Sequence, residues 1–232
     1  MRQDTRPAYP GGVRSIRWVG ERDRLDVKVL AEIPSRSSAE LRAGTLRRGD
    51  LEALRGLRER LAGARAVLIA GDTEARQQVA VGLAAAAVAE GTRTALVECD
   101  LQRPSLADAL GLAGAPGLGE YLRGDAEAEA ILKPVVPAGP GSAAAEEPLV
   151  CIVAGRPTAD GERLFAAERF GHAVASLRAA YELLVLDGPP PGRDAELRAA
   201  MAVVDATVVV ADGIETAPSL PAPVAGLVVQ RS

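Results

Sequence analysis

Asp100 and Asp187 each close an apolar run, in ALVECDLQRP and YELLVLDGPP. Such runs read as buried β-strands. An aspartate directly after a buried strand of a parallel sheet lies where ligands bind, and it has the chemistry to hold a divalent cation or its waters. The plainer role is to cap the following turn or helix. For Asp100 both roles stay open, because the D-L-Q-R-P turn that follows contains Arg103.

A third apolar run, residues 66–70, is where a phosphate-binding turn should follow. Such a turn requires G-x-x-x-x-G-K-[ST], so that backbone N–H groups and a lysine meet phosphate and a hydroxyl meets magnesium. The chain instead reads AGDTEARQQVAVGLA over residues 70–84. Counting forward from Gly71 puts Arg76, Gln77 and Gln78 in the G-K-[ST] places. Counting back from the helical spacing of Val79 and Leu83 puts Ala75, Arg76 and Gln77 there. Neither register has the second glycine, the lysine or the hydroxyl. A guanidinium is planar and larger than an ammonium, and Ala75 or Arg76 in a turn needing positive φ would be strained. The only lysines are Lys28 and Lys133, and neither follows a strand with a glycine-rich turn.

The elements that must position these groups follow from the apolar pattern. Strands are expected at residues 26–34, 66–70, 94–98, 149–154, 182–186, 206–211 and 224–229. Helices are expected at about 51–61, 75–90, 105–110, 161–180 and 194–202. Continuous apolar strands alternating with helices imply an α/β fold with a mostly parallel sheet and helices on both faces. Residues 1–25 read as a flexible N-terminal arm and 26–232 as one domain. Residues 126–147 read as a loop-rich insertion, and the Pro-rich stretch 212–223 opposes a regular helix.

Composition narrows the function classes. The 232 residues are 48% hydrophobic and 25% charged, with a net charge of -4. That balance argues against binding nucleic acid through bulk charge. No apolar run reaches the ~18 residues of a membrane span, which suggests a cytoplasmic protein. Cys99 and Cys151 lie in apolar runs without metal-type spacing and read as small buried residues. Within the helix at 51–61, Leu51, Leu54, Leu57 and Leu61 form one stripe. Glu52, Arg55 and Arg58 form another, three apart, so their side chains share a face.

Taken together, the segments from about Val29 to Gln230 resemble the cytoplasmic kinase domain of bacterial tyrosine kinases of capsule and exopolysaccharide synthesis. That family lies within the deviant-loop P-loop ATPases. VLAEIP resembles the strand before its core. Glu52, Arg55 and Arg58 match its E-x-x-R-x-x-R motif, which implies ring-like oligomers. ALVECDLQRP and Leu183–Pro190 match its second and third aspartate motifs, PGLGEYLRGD its G-L-x-x-Y-L-x-G segment, and CIVAGRPTADGERLFAAERF its L-P-A-G-x-x-P-x-N-P region. The resemblance implies a P-loop NTPase-like fold. It implies ATP and magnesium as ligands, with Asp100 and Asp187 catalytic and metal-holding and with Gly71, Arg76, Gln77 and Arg103 at the nucleotide. The implied partner is a membrane polysaccharide chain-length regulator or adaptor, which would supply any membrane association.

The departures set the functional expectation. The loop is degenerate, Glu98 replaces the first acid of D-x-D, and Gln230 stands where the family's last strand often has asparagine. The C-terminal tyrosine cluster used for autophosphorylation is missing. Tyr121 and Tyr181 fall in the motif body, leaving Tyr9 in the arm. The expectation is a catalytically impaired kinase-like protein, a regulatory or assembly partner in polysaccharide synthesis and export. An active ATP-dependent tyrosine kinase using Arg76, and a partitioning-type ATPase, are the alternatives.

Overall fold

The computed structural model describes residues 15–19, 24–34, 48–61, 63–71, 73–136, 147–211 and 224–231. The strands are β1 (Ser15–Val19), β2 (Arg24–Pro34), β3 (Ala66–Gly71), β4 (Thr94–Glu98), β5 (Lys133–Val135), β6 (Leu149–Ile152), β7 (Leu183–Asp187), β8 (Ala206–Ala211) and β9 (Gly226–Arg231). They form one sheet in the order β1-β2-β9-β8-β3-β7-β4-β6-β5. The β1–β2 and β5–β6 pairs at its two edges are antiparallel, and every pairing between β2 and β6 is parallel. The expected mostly parallel α/β sheet is present.

Helices cover both faces: α1 (Arg48–Arg60), α2 (Thr73–Ala89), α3 (Leu106–Leu110), α4 (Leu118–Arg123), α5 (Ala128–Ile131), α6 (Gly161–Ala166), α7 (Glu168–Ala180) and α8 (Asp194–Met201). The two-residue period of the strands sorts the core. Val67, Ile69, Leu96, Val185 and Val208 face the side packed by Leu51, Leu54 and Leu57 of α1 and Val79 and Leu83 of α2. Ala66, Leu68, Val97, Leu184 and Leu186 face the other side, against Leu118, Phe165, Phe170 and Leu197. Small Ala and Val side chains let α2 lie close on the sheet. This is how a chain with so few aromatics fills its interior.

Three expectations change. Residues 15–19, placed in the arm, form β1, and the boundary at 25/26 falls inside β2. Residues 126–147 carry α5 and β5. The single helix at 161–180 is two helices, broken at extended Ala167. On an unbroken helix Phe165 and Phe170 would sit about 140° apart. The break brings their rings to 4.3 Å in one core. Tyr9 and the stretch 212–223 lie outside the described residues.

Candidate functional site

Helix α2 begins two residues earlier than expected, and this changes the site. Strand β3 ends at Gly71 and α2 starts at Thr73. One intervening residue spans at most ~7 Å of chain, too little to wrap a triphosphate. Residues 73–78 are helical, so the anticipated strain at Ala75 and Arg76 does not arise. No non-glycine residue among those described has positive φ. Gly71 itself, at φ 144°, is needed for close approach, since a Cβ there would meet the Val210 carbonyl oxygen at 2.3 Å.

Starting the helix at once carries Arg76 over the carboxyl ends of the strands. Arg76, Asp187, Glu98 and Asp100 are 0, 0, 0 and 2% exposed. Arg76 donates through Nε to Asp187 Oδ1 at 2.5 Å. Burial opposes the guanidinium's charge, but Asp187, with Asp100 and Glu98 behind it, outweighs that cost and holds its pKa above the ordinary value. Burial likewise pushes the Asp187 carboxyl up, and Arg76 pulls it part of the way back.

Glu98 has a different task. Its Oε1 accepts from Ser105 N–H (2.5 Å) and Leu106 N–H (2.8 Å), and its Oε2 from Ala154 N–H (2.9 Å). It therefore ties the start of α3 and the end of β6 to β4. Burial raises its pKa and these three donors oppose the rise. Asp100 takes the turn-capping role, with Oδ1 accepting from Arg103 N–H at 3.1 Å. The Arg103 side chain is exposed. Gln77 Nε2 donates to Ser105 Oγ at 2.8 Å, so both groups are engaged with each other.

The structure thus brings Arg76, Asp100 and Asp187 together, with Glu98 beside them, and leaves the Arg103 side chain at the surface. Four buried atoms make no hydrogen bond among the described residues: Arg76 Nη1 and Nη2, Asp100 Oδ2 and Asp187 Oδ2. No group of three His, Cys, Asp or Glu side chains among these residues has geometry to hold a metal ion. Sequence reading cast Arg76 as a phosphate ligand and missed it as an ion-pair partner. The signal was an arginine one turn into an Ala-rich helix that follows β3, a strand paired with the acid-ended β7. Glu120 was missed as well. Its carboxylate accepts from Gly117 N–H (2.9 Å) and Arg156 N–H (3.0 Å), fixing the loop after β6 against α4.

The stability of the folded chain should record the raised carboxyls. Asp187 and Glu98 bind protons more tightly folded than unfolded. Their contribution is fully present below the unfolded carboxyl value of ~4 and lost as pH rises through the raised folded values. Asp205 works oppositely. Burial acts against its charge, but Arg178 at 2.7 Å and the Ala66 and Arg65 N–H groups hold it below its ordinary range, so its contribution is lost only on stronger acidification. Thermal melting should therefore rise on going from pH 8 to mildly acid conditions. A flat or falling profile would contradict the raised values.

On α1, Arg55 and Arg58 both reach Glu90 at the end of α2, Arg55 Nε at 2.9 Å, and Arg58 also donates to Thr92 Oγ1 at 2.6 Å. Glu52 is exposed. A cavity of about 390 Å³ opens at the amino ends of β3 and β7, between Arg58, Leu61, Leu83 and Glu182. That is the opposite end of the sheet from the carboxylates.

No protein-family model matches the chain, and no curated protein does. Solved structures do match. The BceF tyrosine kinase domain superposes with TM-score 0.69 at 19% identity, over 88% of this chain and 93% of that one. The kinase domain of Escherichia coli tyrosine kinase ETK gives 0.69 at 17% identity, over 88% and 90%. The Pyrococcus furiosus cell-division ATPase MinD gives 0.52 at 17% identity, over 66% and 61%. At these identities the likeness is one of fold. The chain has the P-loop NTPase-like fold, in the form found in bacterial tyrosine kinase domains.

Proposed function

We propose that this chain is a tyrosine-kinase-like protein without effective phosphoryl transfer, acting as a regulatory or assembly partner in capsular or exopolysaccharide synthesis and export. The observation that carries the reading is Arg76, fully buried and bonded to Asp187. Phosphoryl transfer works by positioning a triphosphate and its metal with backbone donors, a lysine and acidic ligands. Here the strand-to-helix connection is one residue long. The carboxylate at the end of β7 is engaged by a guanidinium. The residues present do not fit a magnesium–nucleotide complex. The shared fold and the motif order support descent from kinases of this pathway, and those motifs supply the polysaccharide context.

The direct assay incubates the purified chain with magnesium, ATP and tyrosine-containing peptide, reading phosphotyrosine. None above the blank is expected. Phosphotyrosine that disappears in the Asp187→Ala variant would make the chain an active kinase and overturn the reading.

No helix among the described residues is long and apolar enough to cross a membrane. We place the protein in the cytoplasm, reaching the membrane through a chain-length regulator or adaptor, and assembling with itself through α1. Exposed ion pairs contribute only about 0–1 kcal/mol each. Arg55→Ala with Arg58→Ala should therefore leave the fold intact while lowering the sedimenting mass. An unchanged mass would argue against the assembly role of that face.

A further inference from the structure

We propose that Arg76 is a resident counter-ion, holding by covalent attachment the position beside Asp187 and Asp100 that a free divalent cation would need to balance two buried carboxylates. The inference rests on the reading of the site as closed to nucleotide, and goes beyond it by assigning the arginine the work of a metal.

Two observations carry it. First, the three carboxylates are not equivalent. Both Glu98 oxygens are engaged, Oε1 by two backbone N–H groups and Oε2 by one. Asp187 Oδ2 and Asp100 Oδ2 are buried and make no hydrogen bond among the described residues. Their charge is the charge that needs a cation. Second, the guanidinium supplies it in an unusual way. Arg76 ranks among the largest fully buried side chains. Its Nη1 and Nη2 are buried in the same interior without protein acceptors, so a single Nε–H···Oδ1 bond and net charge hold it there. An arginine stays protonated under all ordinary conditions. A permanently charged group beside two buried carboxyl groups does electrostatically what a bound cation does, without dependence on metal supply. The neighbouring cations do not compete. Arg103 bonds Asp100 only through its backbone N–H, with its side chain exposed, and Arg193 is engaged by Gln102 and Glu196.

The consequence is a latent site. With the side chain removed, two buried carboxyl groups, each with an oxygen that makes no hydrogen bond among the described residues, would lose their counter-charge. Hard oxygen ligands with room for retained waters suit magnesium or manganese. Arg76→Ala should therefore acquire a property the natural chain lacks. Its melting temperature should rise saturably with magnesium or manganese chloride, by roughly 5 °C or more at saturation. The natural chain and the Arg76→Ala/Asp187→Asn variant should not respond beyond the effect of matched ionic strength. A folded Arg76→Ala protein that responds no more than the natural chain overturns the proposal. Should Arg76→Ala fail to fold in the presence or absence of metal, the double variant Arg76→Met/Asp187→Asn decides. The counter-ion role predicts that removing a carboxylate together with the guanidinium restores folding, and a double variant as unfolded as Arg76→Met overturns it. Stabilisation of the natural chain by magnesium and ATP together would instead overturn the closed-site reading, so the two failures are distinguishable.

Discussion

Asp187→Ala is expected to be the most damaging single substitution at the site, costing about 3–5 kcal/mol of folding stability, the usual penalty for breaking a buried ion pair from one side. A domain stabilised by ~5–15 kcal/mol would lose roughly a fifth or more of its margin. The two halves of the pair should behave differently. Asp187→Ala strands Arg76, which is fully buried and has no neutral form to fall back on. Arg76→Met leaves Asp187 buried, but a carboxyl can take up a proton. Burial already raises its pKa, and the loss of Arg76 removes the group pulling it back. The deficit of Arg76→Met should therefore shrink between pH 8 and mildly acid conditions, while that of Asp187→Ala persists. Urea unfolding of both variants at the two pH values measures this. An Asp187→Ala protein within about 1 kcal/mol of the natural chain would show that the pair holds nothing together.

Glu98→Ala should come second, at roughly 3 kcal/mol, from a different cause. The lost carboxylate is the shared acceptor of three backbone donors. The Leu106 and Ala154 N–H groups would be left buried and unsatisfied, each at a cost of about 1–3 kcal/mol. Glu98→Gln keeps one acceptor oxygen and should fall between. Hydrogen exchange gives the more specific readout. Protection should drop at Leu106 and Ala154 first, because Glu98 ties α3 and β6 to β4. Uniform loss across the sheet would mean the carboxylate acts on global stability rather than on this junction.

These variants separate two meanings of an acidic strand end. Asp187 closes a strand at the end of the sheet where ligands of such folds bind, yet its partner here is the Arg76 guanidinium. Glu98 has a longer side chain than aspartate, and that length lets one carboxylate reach the N–H groups of Ser105, Leu106 and Ala154. Asp100, like Asp187, keeps one buried oxygen without a hydrogen bond among the described residues, beside its turn-capping one.

Much of the fold could be read in the chain because its central strands are short apolar runs. Val67, Ile69 and Val185 against Leu68, Leu184 and Leu186 sort to two faces by period alone. The leucine stripe of α1 was equally plain. The start of α2 was not. Thr73 carries no strong helix signal, and a phosphate turn after β3 would place the helix start at residue 75. That two-residue difference decides whether Arg76 lies in a loop or points into the interior. The break at Ala167 was invisible because no glycine or proline marks it. It follows from packing Phe165 and Phe170 into one core, a tertiary demand that local sequence does not record. In the same way, nothing in the spacing of Arg55 and Arg58 announced Glu90 as their common partner, 32 residues beyond Arg58.

The natural chain carries its own cation, Arg76, beside Asp187 and Asp100. Titration calorimetry of the full chain with ATP in excess magnesium tests it most directly. The account predicts heats no larger than dilution at protein concentrations that detect binding in the micromolar range. A saturable heat with one site per chain and micromolar affinity, abolished by Asp187→Asn, would contradict it.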